Sequence, residues 1–209
     1  MSKIIHELQQ YEISKVIVKD ISWVQKNQNK QPQVEYVPKI NMYYWFYYIC
    51  KYGIEYNKTL ELATQDKFKQ IEIIRENTSG LKLLKLKKQT FEEDIIYAKH
   101  IHISTLKVLA YYNQLSLLVL KNGCYYFFNY GKVVHVLENN KMYTPSEAGL
   151  EEIVNNNYCI PMVDKIMYSM SHYKVSDLQN IAKQLNIPYH KVLKTELYNS
   201  IKIKLTQII

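Results

Sequence analysis

A chain of 209 residues, 47% of them hydrophobic, is long enough to close a packed core and too apolar for global disorder. Only five glycines and five prolines argue against a turn-rich all-β sandwich. Cys50, Cys124 and Cys159 are far apart and form no C-x-x-C pair, so neither a zinc cluster nor a disulfide framework is indicated. A net charge of +8 favours a polyanionic partner, although lysines on a solvated face give the same sum.

Tyrosine is unusually frequent, with 20 copies against five phenylalanines, and abundant Lys, Asn and Ile match the codon bias of an AT-rich genome. The N-terminus, MSKIIHELQQYEISK, has no apolar region followed by a small-residue cleavage site. The most apolar stretch, Met42 to Cys50, falls well short of the ~20 residues of a membrane span. The expectation is a soluble intracellular protein, with no membrane partner.

Taken in chain order, Ile4 to Gln10 suggests a short helix, followed by β-branched Val16, Val18 and Ile21 and a polar loop over Gln25 to Gln33. Pro38 and Asn41 stand where a helix opener and an N-cap belong. MYYWFYYICKYG then reads as a buried aromatic helix ending at Gly53, with a buried strand as the alternative because its apolar positions are continuous. Phe68, Ile71 and Ile74 predict a helix over Lys67 to Glu76, closing at Ser79-Gly80. In the next block Leu81, Leu83, Leu84 and Leu86 interleave with Lys82, Lys85, Lys87 and Lys88. This is either a phosphate-tracking face or an amphipathic element with snorkelling lysines.

Thr90 and Glu93 match the T-x-x-E capping box, pointing to a helix through Tyr97. His100-x-His102 would place two imidazoles on one strand face, but no third ligand accompanies them, so no metal or cofactor is expected. Leu106, Leu109 and Ala110 predict a helix over Ser104 to Asn113. The period then changes. Leu115 to Leu120, the turn Asn122-Gly123, Cys124 to Phe128, the turn Asn129-Tyr130-Gly131 and Val133 to Leu137 predict a three-stranded antiparallel meander near 115–137. Pro145-Ser146-Glu147 starts a short helix over Ala148 to Val154. The fold class expected is α+β, with helices packed on a small antiparallel sheet in a body over residues 1–165.

Residues 166–209 form the second unit. Leu178, Ile181, Ala182 and Leu185 recur at i, i+3, i+4 and i+7, one face of an amphipathic helix capped by Ser176 or Val175 and ended by Asn186. Thr195 suits the N-cap of a second helix, in which Leu197, Ile201 and Leu205 recur every four residues. Between Tyr173 and Leu205, Lys174, Lys183, Lys191, Lys194, Lys202 and Lys204 face only Asp177 and Glu196, a net of +4 and half the charge of the chain. The loop Tyr189-His190-Lys191 and Lys194 sit beside the second helix's start, where backbone N–H groups favour a phosphate.

KVSDLQNIAKQLNI…LKTELYNSI resembles the helix–extended-loop–helix pattern of SAP and Rho-N-terminal domains. Asn186-Ile187 replaces the usual Gly-Leu, whereas Lys194, Glu196, Leu197 and Ile201 match the second half. The resemblance implies contact with a nucleic-acid backbone, DNA before RNA, through Lys174, His190, Lys191, Lys194, Thr195 and Lys202. Lys82, Lys85, Lys87 and Lys88 form a secondary basic patch.

The body, with YYWFYYICKYG followed by STLKVLAYYNQLSLLVLKNGCYYFF, is similar to uncharacterised proteins of large nucleocytoplasmic DNA viruses, and loosely to OTU-like and papain-like cysteine peptidases. The peptidase resemblance implies a thiolate at a helix N-terminus with a histidine partner. Phe46 follows Trp45 where the viral pattern carries cysteine, and Lys141-Met142-Tyr143 lacks the expected histidine. The alternative pair is Cys50 and His135. The sequence therefore favours a non-enzymatic nucleic-acid-binding protein, serving transcription, genome packaging or a virion core. A cysteine peptidase using Cys50 and His135, or an interaction protein with a docked helical tail, stand as alternatives, and the body could bind a protein partner.

Overall fold

The computed structural model describes residues 34–53 and 60–208; the helix expected over Ile4 to Gln10, the β-branched stretch and the loop to Gln33 lie outside them. The described chain is α+β, with a mixed six-stranded sheet and eight helices. The strands are β1 (Glu35–Tyr36), β2 (Ser116–Lys121), β3 (Cys124–Phe128), β4 (Val134–Glu138), β5 (Lys141–Tyr143) and β6 (Tyr158–Cys159), in the spatial order β1-β5-β4-β2-β3-β6. The helices are α1 (Met42–Tyr52), α2 (Leu60–Glu76), α3 (Ser79–Leu83), α4 (Lys88–Tyr97), α5 (Ile103–Tyr112), α6 (Glu147–Asn156), α7 (Val175–Gln184) and α8 (Lys194–Ile208).

Residues Asn122 and Gly123, at φ 50° and 80°, make the two-residue turn that joins β2 to β3 in antiparallel register. The expected meander ends there. β4 does not continue beside β3; it crosses to the other edge of β2 and pairs with it in parallel, Leu117 opposite His135. The crossing is local and has a visible cause. Ser116 Oγ, at the start of β2, lies 2.8 Å from both Asn129 Oδ1 and the Gly131 carbonyl oxygen, and it accepts the Gly131 N–H at 2.8 Å. The connecting loop is thereby pinned across the end of β2. A second two-residue turn, Asn139-Asn140 at φ 48° and 56°, returns the chain into β5, a hairpin the sequence concealed because no glycine marks it.

Both faces of the sheet are covered, which is why β2 reads as a continuous apolar run. Leu117 and Val119 join the main core beneath the helices, whereas Leu118 packs on the opposite face with Tyr125, Val136 and Leu150 of α6. α6 starts within the expected Pro145-Ser146-Glu147, and Ser146 caps it, accepting the Gly149 N–H at 3.2 Å. On the helical face Leu106, Leu109, Phe46 and Phe91 are fully buried, each contributing roughly 1.5–3 kcal/mol by leaving water.

Helix ends depart from expectation in instructive ways. Asn41 does precede α1, but its side chain does not cap that helix: Oδ1 accepts the Ile101 N–H at 3.0 Å, and its own N–H donates to His100 Nδ1 at 3.2 Å. α2 ends at Glu76, and Ser79-Gly80 opens α3 instead of closing a helix. α4 starts at Lys88, so Thr90 lies inside it and the capping box does not form; Glu93 instead accepts from Gln89 Nε2 at 2.8 Å. Three helices, α3, α5 and α7, close with non-glycine residues in the left-handed region: Lys85, Gln114 and Asn186. In each, paired N–H bonds reach back into the last turn, as in Leu115 N to Ala110 O at 2.9 Å and Ile187 N to Ala182 O at 2.8 Å.

The tyrosine-rich run of α1 finds its explanation in α2. Asp66, 5% exposed, receives Tyr44 and Tyr47 hydroxyls on Oδ2 at 3.1 and 3.3 Å. Its Oδ1 receives Lys51 Nζ, Tyr52 OH and Gln70 Nε2 at 3.1, 2.7 and 3.0 Å. A buried carboxylate is tolerated when donors surround it in this way. The buried stripe of α2 is thus Ala63, Asp66, Gln70, Ile71 and Ile74, while Phe68 of the predicted apolar stripe is 53% exposed.

Toward the C-terminus, α7 and α8 pack against each other through Leu178, Ile181, Ala182, Leu185, Leu197, Ile201 and Leu205, as their spacing required. Their core is continuous with that of the body. Gln184 Nε2 donates to the Asn155 carbonyl of the body at 3.1 Å, while Tyr198 OH donates to the Tyr168 carbonyl within the tail at 2.7 Å. The tail therefore rests on the body. No helix among the described residues is long and apolar enough to cross a membrane.

Candidate functional site

The first candidate is the loop between α7 and α8. Lys174 immediately precedes α7 and its N–H donates to Asp177 Oδ2 at 2.7 Å, so the acid closes the helix start and neither Ser176 nor Val175 caps it. Asn186 turns the chain in the left-handed conformation that glycine would otherwise supply. Tyr189 and His190 stack with ring centroids 4.3 Å apart, followed by Lys191 at φ 58°. α8 begins at Lys194, with the Leu197 N–H bonded to the Leu193 carbonyl at 2.9 Å, so Thr195 is a first-turn residue and not the cap.

Lys174, His190, Lys191, Thr195 and Lys202 are exposed and Lys194 is half-buried. The described ion pairs engage Lys51, Arg75 and Lys88, and none of the tail's six lysines. The only tail carboxylates are Asp177, which serves the Lys174 backbone, and exposed Glu196. The structure thus brings the basic loop and the start of α8 together with their charges uncompensated by described side chains.

The secondary patch is equally solvated. Lys82, Lys85, Lys87 and Lys88 are all exposed around α3 and the start of α4, with Leu81 buried beneath them. Lys88 lies 3.9 Å from Glu92, which is also held by Arg75 at 2.8 Å. The block is neither a continuous helix nor a strand, because the turn at Lys85 splits it.

The second candidate pairs Cys50 with His135. The alternation of β4 places His135 on the helical side, and both residues line one pocket of about 320 Å³ with Glu35, Tyr143 and Thr144. The chemistry of a thiolate nucleophile is missing. Cys50 sits in the last turn of α1, where the helix dipole disfavours an anion. Burial, with the Glu35 carboxylate adding to it, pushes its thiol well above the ordinary value. Burial also lowers the His135 imidazole, whose Nδ1 lies 3.3 Å from Thr144 Oγ1. At neutral pH the pair is a thiol beside a neutral imidazole. In the native chain at pH 8, iodoacetamide is expected to label Cys50 at under about a tenth of the rate seen in denaturant. Peptide mass mapping reads the rate, and rapid native labelling suppressed by His135→Ala would reinstate a nucleophile.

His100 and His102 do not form the strand pair expected of a metal site. They lie in the irregular connection between α4 and α5, with His100 Nδ1 accepting from Asn41 and the His102 N–H donating to Asp94 Oδ2 at 2.8 Å. Among the described residues no group of three potential ligands is placed to hold a metal. What sequence reading missed is that these histidines border a cleft of about 510 Å³, together with Tyr43, Lys121 and Tyr126. Only the packing of α1 against the 99–102 segment brings them there. The chain matches no family model, no curated protein and no solved structure.

Proposed function

We propose that this is a non-enzymatic nucleic-acid-binding protein whose C-terminal helix–loop–helix grips the phosphate backbone of DNA and tethers the body to it. The observation that carries the reading is that none of the six tail lysines has a described acidic partner, with Lys183, Lys191 and Lys194 flanking the left-handed loop and the start of α8. Lysines positioned in this way release counterions when they meet phosphates. Tyr189 and His190 add a hydroxyl and an imidazole beside Lys191, polar groups of the kind that bond phosphate oxygens, their ring planes tilted by 35°. The exposed patch at Lys82, Lys85, Lys87 and Lys88 offers a second, weaker point of attachment. We place the setting in transcription, genome packaging or a virion core, on the strength of the sequence resemblance alone.

Fluorescence anisotropy of a labelled DNA duplex against the full chain, repeated across salt concentrations, tests the proposal. Lys191→Glu/Lys194→Glu is expected to weaken binding at least roughly tenfold and to flatten the log–log salt dependence by about two units. Lys82→Ala/Lys85→Ala is expected to have a smaller effect. An RNA duplex run in parallel should bind more weakly than DNA. Absence of binding at low salt, or binding that ignores the double charge reversal, would refute the tail as the contact.

A further inference from the structure

The aromatic run of α1 sets oxidisable rings in a row. Trp45, Tyr48 and Tyr52 stand at i, i+3 and i+7 and so share one face of the helix. Their ring centroids are 5.6 Å apart from Trp45 to Tyr48 and 4.8 Å apart from Tyr48 to Tyr52. Trp45 is half-buried, Tyr48 buried and Tyr52 50% exposed, so the row joins two accessible rings through the interior. Packing alone asks only for apolar volume, which leucine supplies. Indole and phenol rings in near contact supply a path for electrons as well, because their π systems give up an electron far more readily than aliphatic groups do.

The far end of the row is equipped for the proton. A phenol keeps an oxidising equivalent only by losing its proton, because the oxidised phenol is a strong acid. Tyr52 OH donates to Asp66 Oδ1 at 2.7 Å, a short bond to a charged acceptor. The Tyr44 ring lies 6.2 Å from Trp45, but its hydroxyl is nearer the Ala63 carbonyl, at 2.6 Å, than Asp66 Oδ2, at 3.1 Å, and a carbonyl cannot keep the proton. Tyr47 reaches Asp66 only at 3.3 Å, and its ring is fully buried. Of the three tyrosines, Tyr52 combines the shortest bond to the carboxylate with an exposed ring. Lys51 Nζ, 3.1 Å from the same oxygen, favours the ionised acid and so drives the proton back once the radical is discharged.

We propose that α1 carries oxidising equivalents from Trp45 through Tyr48 to Tyr52, where a reductant in solvent discharges them. A one-electron radical oxidant, such as the carbonate radical anion, takes an electron from Trp45 and leaves as carbonate. The indole cation radical then takes an electron from Tyr52 across the Tyr48 ring. The Tyr52 O–H bond breaks and its proton moves to Asp66 Oδ1. The products are an intact indole, a neutral phenoxyl radical and a neutral carboxylic acid. An electron from a reductant of the ascorbate class, with the proton held on Asp66, restores the phenol and the carboxylate. This route is separate from the tail's basic loop and does not depend on the tail binding DNA.

Pulse radiolysis of the full chain carrying Trp23→Phe tests it, since that substitution leaves Trp45 as the one indole. The oxidant is the azide radical, which prefers indole to a neutral phenol. Indole radical absorption is expected to decay as phenoxyl absorption grows, at a first-order rate independent of protein concentration. Tyr52→Phe, which removes a single hydroxyl, is expected to slow the transfer at least roughly tenfold, and Tyr48→Leu to do the same. In the chain with Trp23→Phe alone, a nitroso spin trap followed by peptide mapping should find its adduct on Tyr52, a readout that survives even if the other variants fold poorly. Transfer that scales with protein concentration, an unchanged rate in Tyr52→Phe, or adducts confined to other tyrosines would overturn the proposal.

Discussion

Asp66→Ala is expected to lower the unfolding free energy by about 3–5 kcal/mol, among the largest single-residue losses in the chain. The carboxylate is the acceptor for the Tyr47 and Tyr52 hydroxyls, one ammonium and one amide, and it shares the Tyr44 hydroxyl proton with the Ala63 carbonyl, which lies nearer at 2.6 Å. Its removal leaves Tyr47 and Gln70, both buried, without that acceptor, and a part-buried Lys51 without its counter-charge. Burial already pulls the Lys51 ammonium below its ordinary value despite Asp66 raising it, so loss of the acid makes the lysine's position costlier. The Tyr44 and Tyr47 hydroxyls are pushed well above their ordinary range, chiefly by burial and next by Asp66, so they stay donors throughout the accessible pH range. Chemical denaturation should show Asp66→Asn at roughly half the loss, since an amide oxygen still accepts. A double-mutant cycle with Lys51→Met should give a coupling of about 1–3 kcal/mol. An Asp66→Ala loss under about 1 kcal/mol would mean that water replaces the carboxylate freely.

Gly131→Ala is the second substitution with a large expected effect, about 3 kcal/mol or more. A Cβ on Gly131 would overlap the Gln114 carbonyl oxygen and stand 3.0 Å from the Ser116 nitrogen. Both are backbone atoms and neither can step aside. Gln114 is held in the left-handed turn that closes α5, where the Leu115 N–H is bound to Ala110 O, and Ser116 is the first residue of β2. The added methyl must therefore lift the loop off β2 and break the Ser116 bonds that pin it. Gly80→Ala is the control: its Cβ would also meet atoms at 2.6 and 2.8 Å, but these belong to the side chains of Tyr111 and Tyr112, which can shift. Thermal melts should rank Gly131→Ala well below Gly80→Ala. Ser116→Ala, which deletes the pin without adding bulk, should fall between the wild type and Gly131→Ala, at about 1–2 kcal/mol. Equal melts for Gly131→Ala and the wild type would show that the crossing loop is not held against β2.

The order of these effects reflects how the body is joined. Asp66 ties α1 to α2 through polar bonds that cannot be replaced one at a time, and Gly131 permits the crossing that sets β4 parallel to β2. Both lie outside the tail loop, so variants at either site should lose stability without altering the charge of that loop.

Local chemistry was readable wherever neighbours along the chain settle the outcome. The α5 and α6 helices, the Asn122-Gly123 hairpin, the left-handed Asn186 and the facing apolar stripes of α7 and α8 follow from spacing and turn chemistry alone. The basic loop at Lys191 and Lys194 was legible for the same reason, since charge and helix starts are local features. Tertiary structure decided the rest. An unpaired strand has two edges, and nothing within Val134 to Glu138 says which neighbour it will join; the Ser116 pin does. The buried stripe of α2 contains Asp66 and Gln70, and polar residues count as interior only once the α1 tyrosines are folded over them. Asn41 could cap its own helix or staple a distant segment, and proximity to Ile101 resolved the choice. The cleft lined by Tyr43, His100, His102 and Lys121 draws on stretches far apart in the chain, so it exists only after α1 and the end of β2 meet. Sequence determined the elements and the basic tail, because those depend on residues a few positions apart. Packing determined the sheet order, the buried carboxylate and the cleft, because each needs partners brought together from far along the chain.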